Sequence, residues 1–446
     1  MVEGNRIGRY IGEKIALPVI LAVSLLAAWL VIDVRTVVRP SGPIELNRSG
    51  LSISMPQGNG WQSEDKWLFE DDGFTISSVL SAQTKRTLTS RGGIGRAYAH
   101  CHYLLASKEE TLQEHLSTKA EELGGDTIET GQVTAGQLAF DWVKIRKESG
   151  RSGRASFEMI FGVCQLPAGR WLEIEVLQTT EQGGLAQRVF EKIVKSVRFS
   201  DNGLLQAGIE VVGEVKKAGL SAENEPASHF ILTDARRRKV GFTMDARVVQ
   251  ADKEPAIKAA SYYYVRGPVT NEEVSFFQGD NTFDKFTWRV ESRSKGDGVG
   301  IEMLAESGVL KVNKLLPGGE ENEYVLGDAA VPDIVLEPVL KKMLNDDRRE
   351  MIIDQIRSDG TIAPMFVEKI ELKVANGNSI RMEILDGRGF WQQMDFDSSK
   401  KLVKILLGQN NTYTLTPADA NEIMKAFPER AYLVRDEKQL LGSVEL

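Results

Sequence analysis

Residues Ile15 to Ile32, IALPVILAVSLLAAWLVI, carry no charge, and a run of that length sets the first constraint on what this chain can become. As a helix it is about 27 Å long at about 1.5 Å per residue, close to the roughly 30 Å of bilayer hydrocarbon. Its Ile, Leu and Val side chains favour insertion by roughly 3 to 7 kcal/mol, with no ionised group opposing them. Tyr10 and Trp29 stand near its ends, where amphipathic rings favour the interface, and Pro18 falls in the first turn, where a missing amide hydrogen does little harm. The sequence therefore predicts a single membrane helix at 15–32 behind a tail at 1–14. A cleaved signal peptide would have a shorter apolar core and a small residue where Leu26 precedes Ala27-Ala28, so retention of the helix is expected. Arg6, Arg9 and Lys14 before the run balance Arg35, Arg39 and Arg48 after it, which leaves the charge rule tied. The short leading tail then favours a cytoplasmic amino terminus and a periplasmic or otherwise extracytoplasmic bulk.

The rest of the 446 residues, with 42% apolar and 26% charged side chains overall, suffices for two or three ordinary globular domains. A net charge of −8 excludes general nucleic-acid binding, which needs a basic face to release counterions. Two cysteines, Cys101 and Cys164, exclude a disulfide scaffold and leave one bridge to consider.

Pro40, Gly42, Pro43 and Gly50 lie among polar residues without helical period, so 33–50 reads as a spacer. Residues 51–200 mix strand patterns with two amphipathic helices. The first is expected to start at Ser107, with Glu110 completing a capping box, and to stop at Gly124-Gly125; its buried stripe is Leu112, Leu116, Ala120 and Leu123. The second carries Leu185, Val189, Ile193 and Val197. An antiparallel sheet covered by helices, an α+β sandwich, buries both stripes. A helical connector at 201–226 leads to a mostly antiparallel β-meander domain at 227–446. Helix followed by meander occurs there twice, which suggests two pseudo-repeats. Thr416 with Pro417 is expected to open a last helix, and Arg430 to Arg435 to form a closing strand.

The opening LSISMPQGNGW and the ending GRWLEIEVLQTT with FEKIVKSVRF resemble PsbP-like domains, an extracytoplasmic α/β/α family that includes photosystem subunits and bacterial lipoproteins. The resemblance covers Leu51 to about Ser200 and implies a binding or assembly module; it transfers no site residues. The pattern from Ala227 onward is similar, at the level of fold, to the half-barrel of bacterial lipoprotein carriers, whose curved sheet holds acyl chains around a helical plug.

His100 and His102 are two apart on one expected strand and Glu173 and Glu175 on another, so each pair shares a face. If the strands were neighbours the four groups would make a metal site, and with it a metal-dependent hydrolase. Two solvated polar faces are the plainer reading. No nucleophile elbow and no phosphate loop occurs, and the glycines of Arg91 to Gly95 lack the spacing of either dinucleotide or phosphate motifs. Arg236, Arg237, Arg238 and Lys239 form the one concentrated basic run, able to meet anionic lipid headgroups or simply to solvate a hairpin turn. The sequence thus points to a single-pass membrane protein with extracytoplasmic modules that bind a protein partner, with no catalytic activity and no cofactor. A lipid or lipoprotein carrier is the alternative and a metal-dependent hydrolase the third reading.

Overall fold

The computed structural model describes residues 18–28 and 39–435, apart from 59–60, 65, 71–72, 81–96, 106–110, 149–155, 180–183, 221–223, 251–252, 268–270, 295–296, 316–318, 320, 373–376, 386–390 and 409–411. The membrane span expected at 15–32 therefore lies partly outside the described residues, as do Arg91 to Gly95. Its described part is helical, α1 (18–28), and Val19, Ile20, Leu21, Val23, Leu25 and Leu26 are between 53% and 65% exposed. No helix among the described residues is long and apolar enough to cross a membrane.

The first module begins earlier than the sequence suggests. β1 (Arg39–Pro40) pairs with β4 (Pro56–Gln57), and β2 (Ile44–Leu46) with β3 (Leu51–Ile53). Leu46 is buried, so the second half of the expected spacer is folded onto the module rather than free. Then follow β5 (Trp61–Ser63), β6 (Leu68–Glu70), β7 (Gly73–Leu80), β8 (Ala97–Leu105) and α2 (Leu112–Leu123). After these come β9 (Asp126–Ala135), β10 (Leu138–Lys147), β11 (Phe157–Leu166), β12 (Arg170–Thr179), α3 (Leu185–Ser196) and β13 (Arg198–Phe199). The main sheet is antiparallel, in the order β5-β7-β8-β12-β11-β10-β9 with β6 beside β7. Strand alternation sends Leu172, Ile174 and Val176 to the side where α3 packs, and Trp171 to the side of α2, where Leu116 and Ala120 meet Phe161 and Val163. The expected α+β sandwich of antiparallel sheet and helices is what forms. The described α2 is capped by Thr111, its hydroxyl accepting from the Glu114 amide at 3.2 Å while Glu114 accepts from the Thr111 amide at 2.8 Å; the start expected at Ser107 with Glu110 lies outside the described residues.

The second module opens with α4 (Leu204–Ala218), followed by β14 (Asn224–Asp234), β15 (Lys239–Val249), β16 (Ile257–Val265) and β17 (Asn271–Gly279). β18 (Phe286–Ser294), β19 (Asp297–Glu306), β20 (Val309–Lys314) and β21 (Glu321–Val325) complete one meander. The other comprises β22 (Ala330–Pro332), α5 (Leu336–Leu344), β23 (Glu350–Ile356), β24 (Ile362–Leu372), β25 (Gly377–Ile384), β26 (Trp391–Phe396), β27 (Leu402–Leu407) and β28 (Tyr413–Pro417). β14 pairs with β28, which fuses the two meanders into one 15-stranded sheet, antiparallel except where β22 meets β23. Gly360, in the turn between β23 and β24, faces Val312 of β20, so the two arms of the sheet curve towards each other. Val211 and Val212 of α4 and Val339, Leu340 and Met343 of α5 fill the space they enclose, all buried in one core with Trp288, Met303 and Met365. The chain's own helices thus occupy the described part of the trough where a carrier would hold acyl chains. α6 (Ala420–Ala426) and α7 (Ala431–Arg435) cover the opposite face through Ile423, Phe427 and Val434. Two expectations fail here. Thr416 and Pro417 end a strand, with Asp419 capping α6, and the segment expected as a closing strand is helical because it packs on the aromatic face of Phe242 and Tyr264 instead of a sheet edge.

Candidate functional site

The hairpin between β11 and β12 turns through Pro167, Ala168 and Gly169, with Ala168 at φ 55° and Gly169 at φ 68°, both left-handed. A non-glycine residue in that region is strained, and the turn holds the Leu166–Arg170 pair that closes the hairpin. Arg170 follows at the first position of β12, on the apolar side of the sheet, at 1% exposure. Its Nη2 donates to Oδ1 of Asp354, which sits inside the apolar strand β23 of the second module and is also 1% exposed. The Tyr103 ring lies 6.0 Å from the guanidinium. Burial works against the Arg170 charge, but Asp354 opposite more than offsets this and its pKa is raised. Two ions taken out of water are tolerable only as a pair, so this contact joins the modules and costs dearly if half of it is removed. Tyr103 is a second hydrogen-bond partner of the Arg170 side chain, whose Nε and Nη1 are enclosed by protein.

Beside Arg170 the modules leave a cavity of about 320 Å³. The hairpin tip forms one wall, Leu205, Gln206 and Ile209 of α4 another, and Val325 to Asp328 a third, with Ile352 and Tyr103 further in and Asp201 on the border. Small-molecule sites favour such domain seams, and about 300 Å³ is the lower end of their usual size. The first module is closed beside the seam: the Ser200 amide donates to Gly50 O at 2.9 Å and Asn202 Nδ2 to Arg48 O at 2.8 Å. Arg48 lies 3.7 Å over the Phe366 ring, and one continuous core runs from Trp61 and Phe74 to Met382 and Phe396.

β8 and β12 are neighbours, with His100 opposite Glu175 and His102 opposite Glu173, so the adjacency required for the conjectured metal site exists. The donors are nevertheless committed elsewhere. Glu173 is hydrogen-bonded to His115 of α2, Glu175 accepts from the Tyr98 hydroxyl at 2.5 Å, and His102 Nδ1 contacts Thr75 Oγ1 at 2.8 Å. Among the described residues no group of three or more His, Cys, Asp or Glu side chains is placed to hold a metal ion. Burial lowers the His100 pKa, against the Glu175 carboxylate that favours its charge. The strip is thus a hydrogen-bonded packing of α2 on the sheet.

Cys101 and Cys164 are both free and buried, which corrects the bridge considered from the sequence. Their strands β8 and β11 are separated by β12, roughly 10 Å across two inter-strand spacings, beyond the reach of a disulfide. Burial pushes the Cys164 thiol up to about 12 and raises Cys101 as well, so neither has thiolate character. Arg236 to Lys239 form the β14–β15 turn. Two of the four charges are paired there, Arg238 with Asp234 at 2.6 Å and Lys239 with Glu422 at 2.8 Å, so a lipid headgroup would meet a smaller charge than the run suggests.

The inner face of the large sheet holds a second polar group that sequence reading passed over. Burial, with Asp333 and Glu337 nearby, pushes the Asp245 carboxyl up to about 7, against its bond from Thr243. Burial likewise raises Glu273. An unfolded Asp ionises near 4, so folding must keep this one protonated up to about 7: stability is full below about 4, falls as pH rises to about 7, and is level above. Asp245→Asn is expected to remove that loss and so stabilise the protein by about 1–3 kcal/mol at pH 8 while changing little at pH 4.5. Urea unfolding at the two pH values measures it, and equal effects at both would refute the assignment.

No family model and no curated protein matches the chain. Solved structures similar to parts of it include a β-barrel-like protein of a domain of unknown function, DUF1849, from Brucella abortus. That match is 9% identical with a TM-score of 0.34, over 44% of this chain and 98% of that one. The Saccharomyces cerevisiae Ran-binding protein Mog1p is 11% identical with a TM-score of 0.27, over 37% and 98%. LpqN, involved in cell envelope biogenesis of Mycobacterium tuberculosis, is 11% identical with a TM-score of 0.25, over 37% and 92%. These likenesses are partial and distant, and no functional argument rests on them.

Proposed function

We propose that this chain is a membrane-tethered binding protein whose two β-rich modules lie outside the cytoplasm and take their ligand in the cavity at their seam. One observation carries the reading: a cavity of about 320 Å³ lies where the two modules meet, between the β11–β12 hairpin tip, α4 and Val325 to Asp328. Its walls mix apolar side chains, Leu205, Ile209, Val325 and Ile352, with polar ones, Asn202, Gln206 and Asp328, an arrangement suited to holding a molecule. The tether is supported by the uncharged run at 15–32 and by the bare apolar side chains of α1, which a lipid phase would cover. The PsbP-like kinship of 51–200 agrees with a binding role but adds no residue to it.

Native mass spectrometry of the full chain, extracted from membranes in mild detergent, tests both parts. A small ligand retained by the native protein and lost from Gln206→Trp, which fills the cavity from the exposed face of α4, is the expected result. An acyl lipid retained by both proteins would instead favour a carrier role for the second module. Recovery of the chain in the soluble fraction without detergent would refute the tether.

A further inference from the structure

We propose that the outer face of α3 lies against the bilayer that carries the tether and binds its anionic lipid headgroups. This rests on the run at 15–32 being a membrane helix. α3 buries Ala186, Val189, Phe190, Ile193 and Val194 against the sheet. Arg188, Lys192 and Lys195, four and then three residues apart, share the opposite face, and Arg198 follows the helix; all four are exposed. Residues 185–199 hold these four cations and one acid, Glu191, a net +3 in a chain of net charge −8. Glu191 meets Lys195 at 3.6 Å, an exposed pair that leaves the face basic. Arg198 Nη1 donates to the Lys195 and Val197 carbonyls at 2.8 and 2.7 Å, which holds that charge at the end of the helix. Two other helices differ: α2 carries Glu114, Glu121 and Glu122 against one lysine, and on α4 Glu210 and Glu214 meet Arg348 and Lys342.

The path of the chain brings this face to the membrane. Ser196, in the last turn of α3, accepts from the Ser54 amide at 2.9 Å. Next to Ser54, the Met55 amide donates to Ser41 Oγ at 3.0 Å and the Ser41 amide to Met55 O at 2.7 Å. Arg39, itself exposed, stands two residues before Ser41, so the chain enters the module one strand away from the basic end of α3. From Ile32 to Arg39 is seven residues, about 24 Å of chain at full extension. A tether that short keeps the face at high effective concentration beside the headgroups, where a modest attraction per cation suffices. α2 is on the other side of the sheet and then points away from the bilayer.

Amine acylation of the full chain in lipid nanodiscs, read lysine by lysine by mass spectrometry, tests this, with the exposed Lys425 of α6 as internal reference. In discs of phosphatidylcholine mixed with phosphatidylglycerol, Lys192 and Lys195 are expected to react about threefold more slowly, relative to Lys425, than in phosphatidylcholine alone. The protection should vanish in about 1 M salt. It should also weaken in Arg188→Gln with Arg198→Gln, which keeps both reporter lysines; circular dichroism checks the fold, and Arg188→Glu alone serves if the double variant fails to fold. Equal reactivity in the two kinds of disc, or equal protection in both, would overturn the proposal. Protection of Lys239 in place of Lys192 and Lys195 would overturn it in favour of the β14–β15 turn. A chain that does not enter the discs would overturn the tether, and the proposal with it.

Discussion

Arg170→Ala is expected to destabilise the protein by about 3–5 kcal/mol, because it strands the Asp354 carboxylate at the centre of an apolar strand with no other cation to meet it. Asp354→Ala should cost a similar amount for the mirror reason. The pair Arg170→Met with Asp354→Leu should recover most of the loss, since two apolar side chains of similar length need no solvation. Chemical denaturation of the four proteins gives the coupling directly. A loss below about 1 kcal/mol in Arg170→Ala would show that water reaches Asp354 and that the modules are not joined through a dry contact.

The second large effect concerns α4. A Cβ on Gly208 would stand 1.8 Å from the Ile352 carbonyl oxygen, an approach that only backbone displacement can relieve. Helix propensity favours alanine over glycine by about 1 kcal/mol. Packing opposes it here, and Gly208→Ala should be destabilising by about 3 kcal/mol as α4 lifts from β23. Gly213, in the same helix, has nothing within 4 Å of its Cβ position, so Gly213→Ala should be stabilising by up to about 1 kcal/mol. Opposite signs in thermal unfolding are the prediction. Two stabilising substitutions would mean that α4 does not rest on β23.

Local patterns in the chain carried much of this fold. The stripes of α2 and α3 and the left-handed stop at Gly124 follow from spacing and glycine chemistry. Thr111 with Glu114 is a second capping box, four residues after the one read at Ser107 with Glu110, and it is formed. The fusion of two meanders through β14 and β28 was not legible, because strand order across almost two hundred residues leaves no local mark. The site was half legible. Arg170 in GRWLEIE and Asp354 in MIIDQI are charges at buried strand positions, and a buried charge implies a partner. That they are each other's partner, 184 residues apart, is tertiary information. His100 and His102 drew attention by residue type; in the structure His102 contacts Thr75 and His100 lies against the Tyr98 ring.

Scanning calorimetry of the full chain in mild detergent tests most directly whether the seam is a built site or a loose contact between two independent domains. A core continuous across both modules and a buried ion pair between them predict one cooperative transition, with calorimetric and van't Hoff enthalpies equal. Two resolved transitions, or a calorimetric enthalpy about twice the van't Hoff value, would contradict the account.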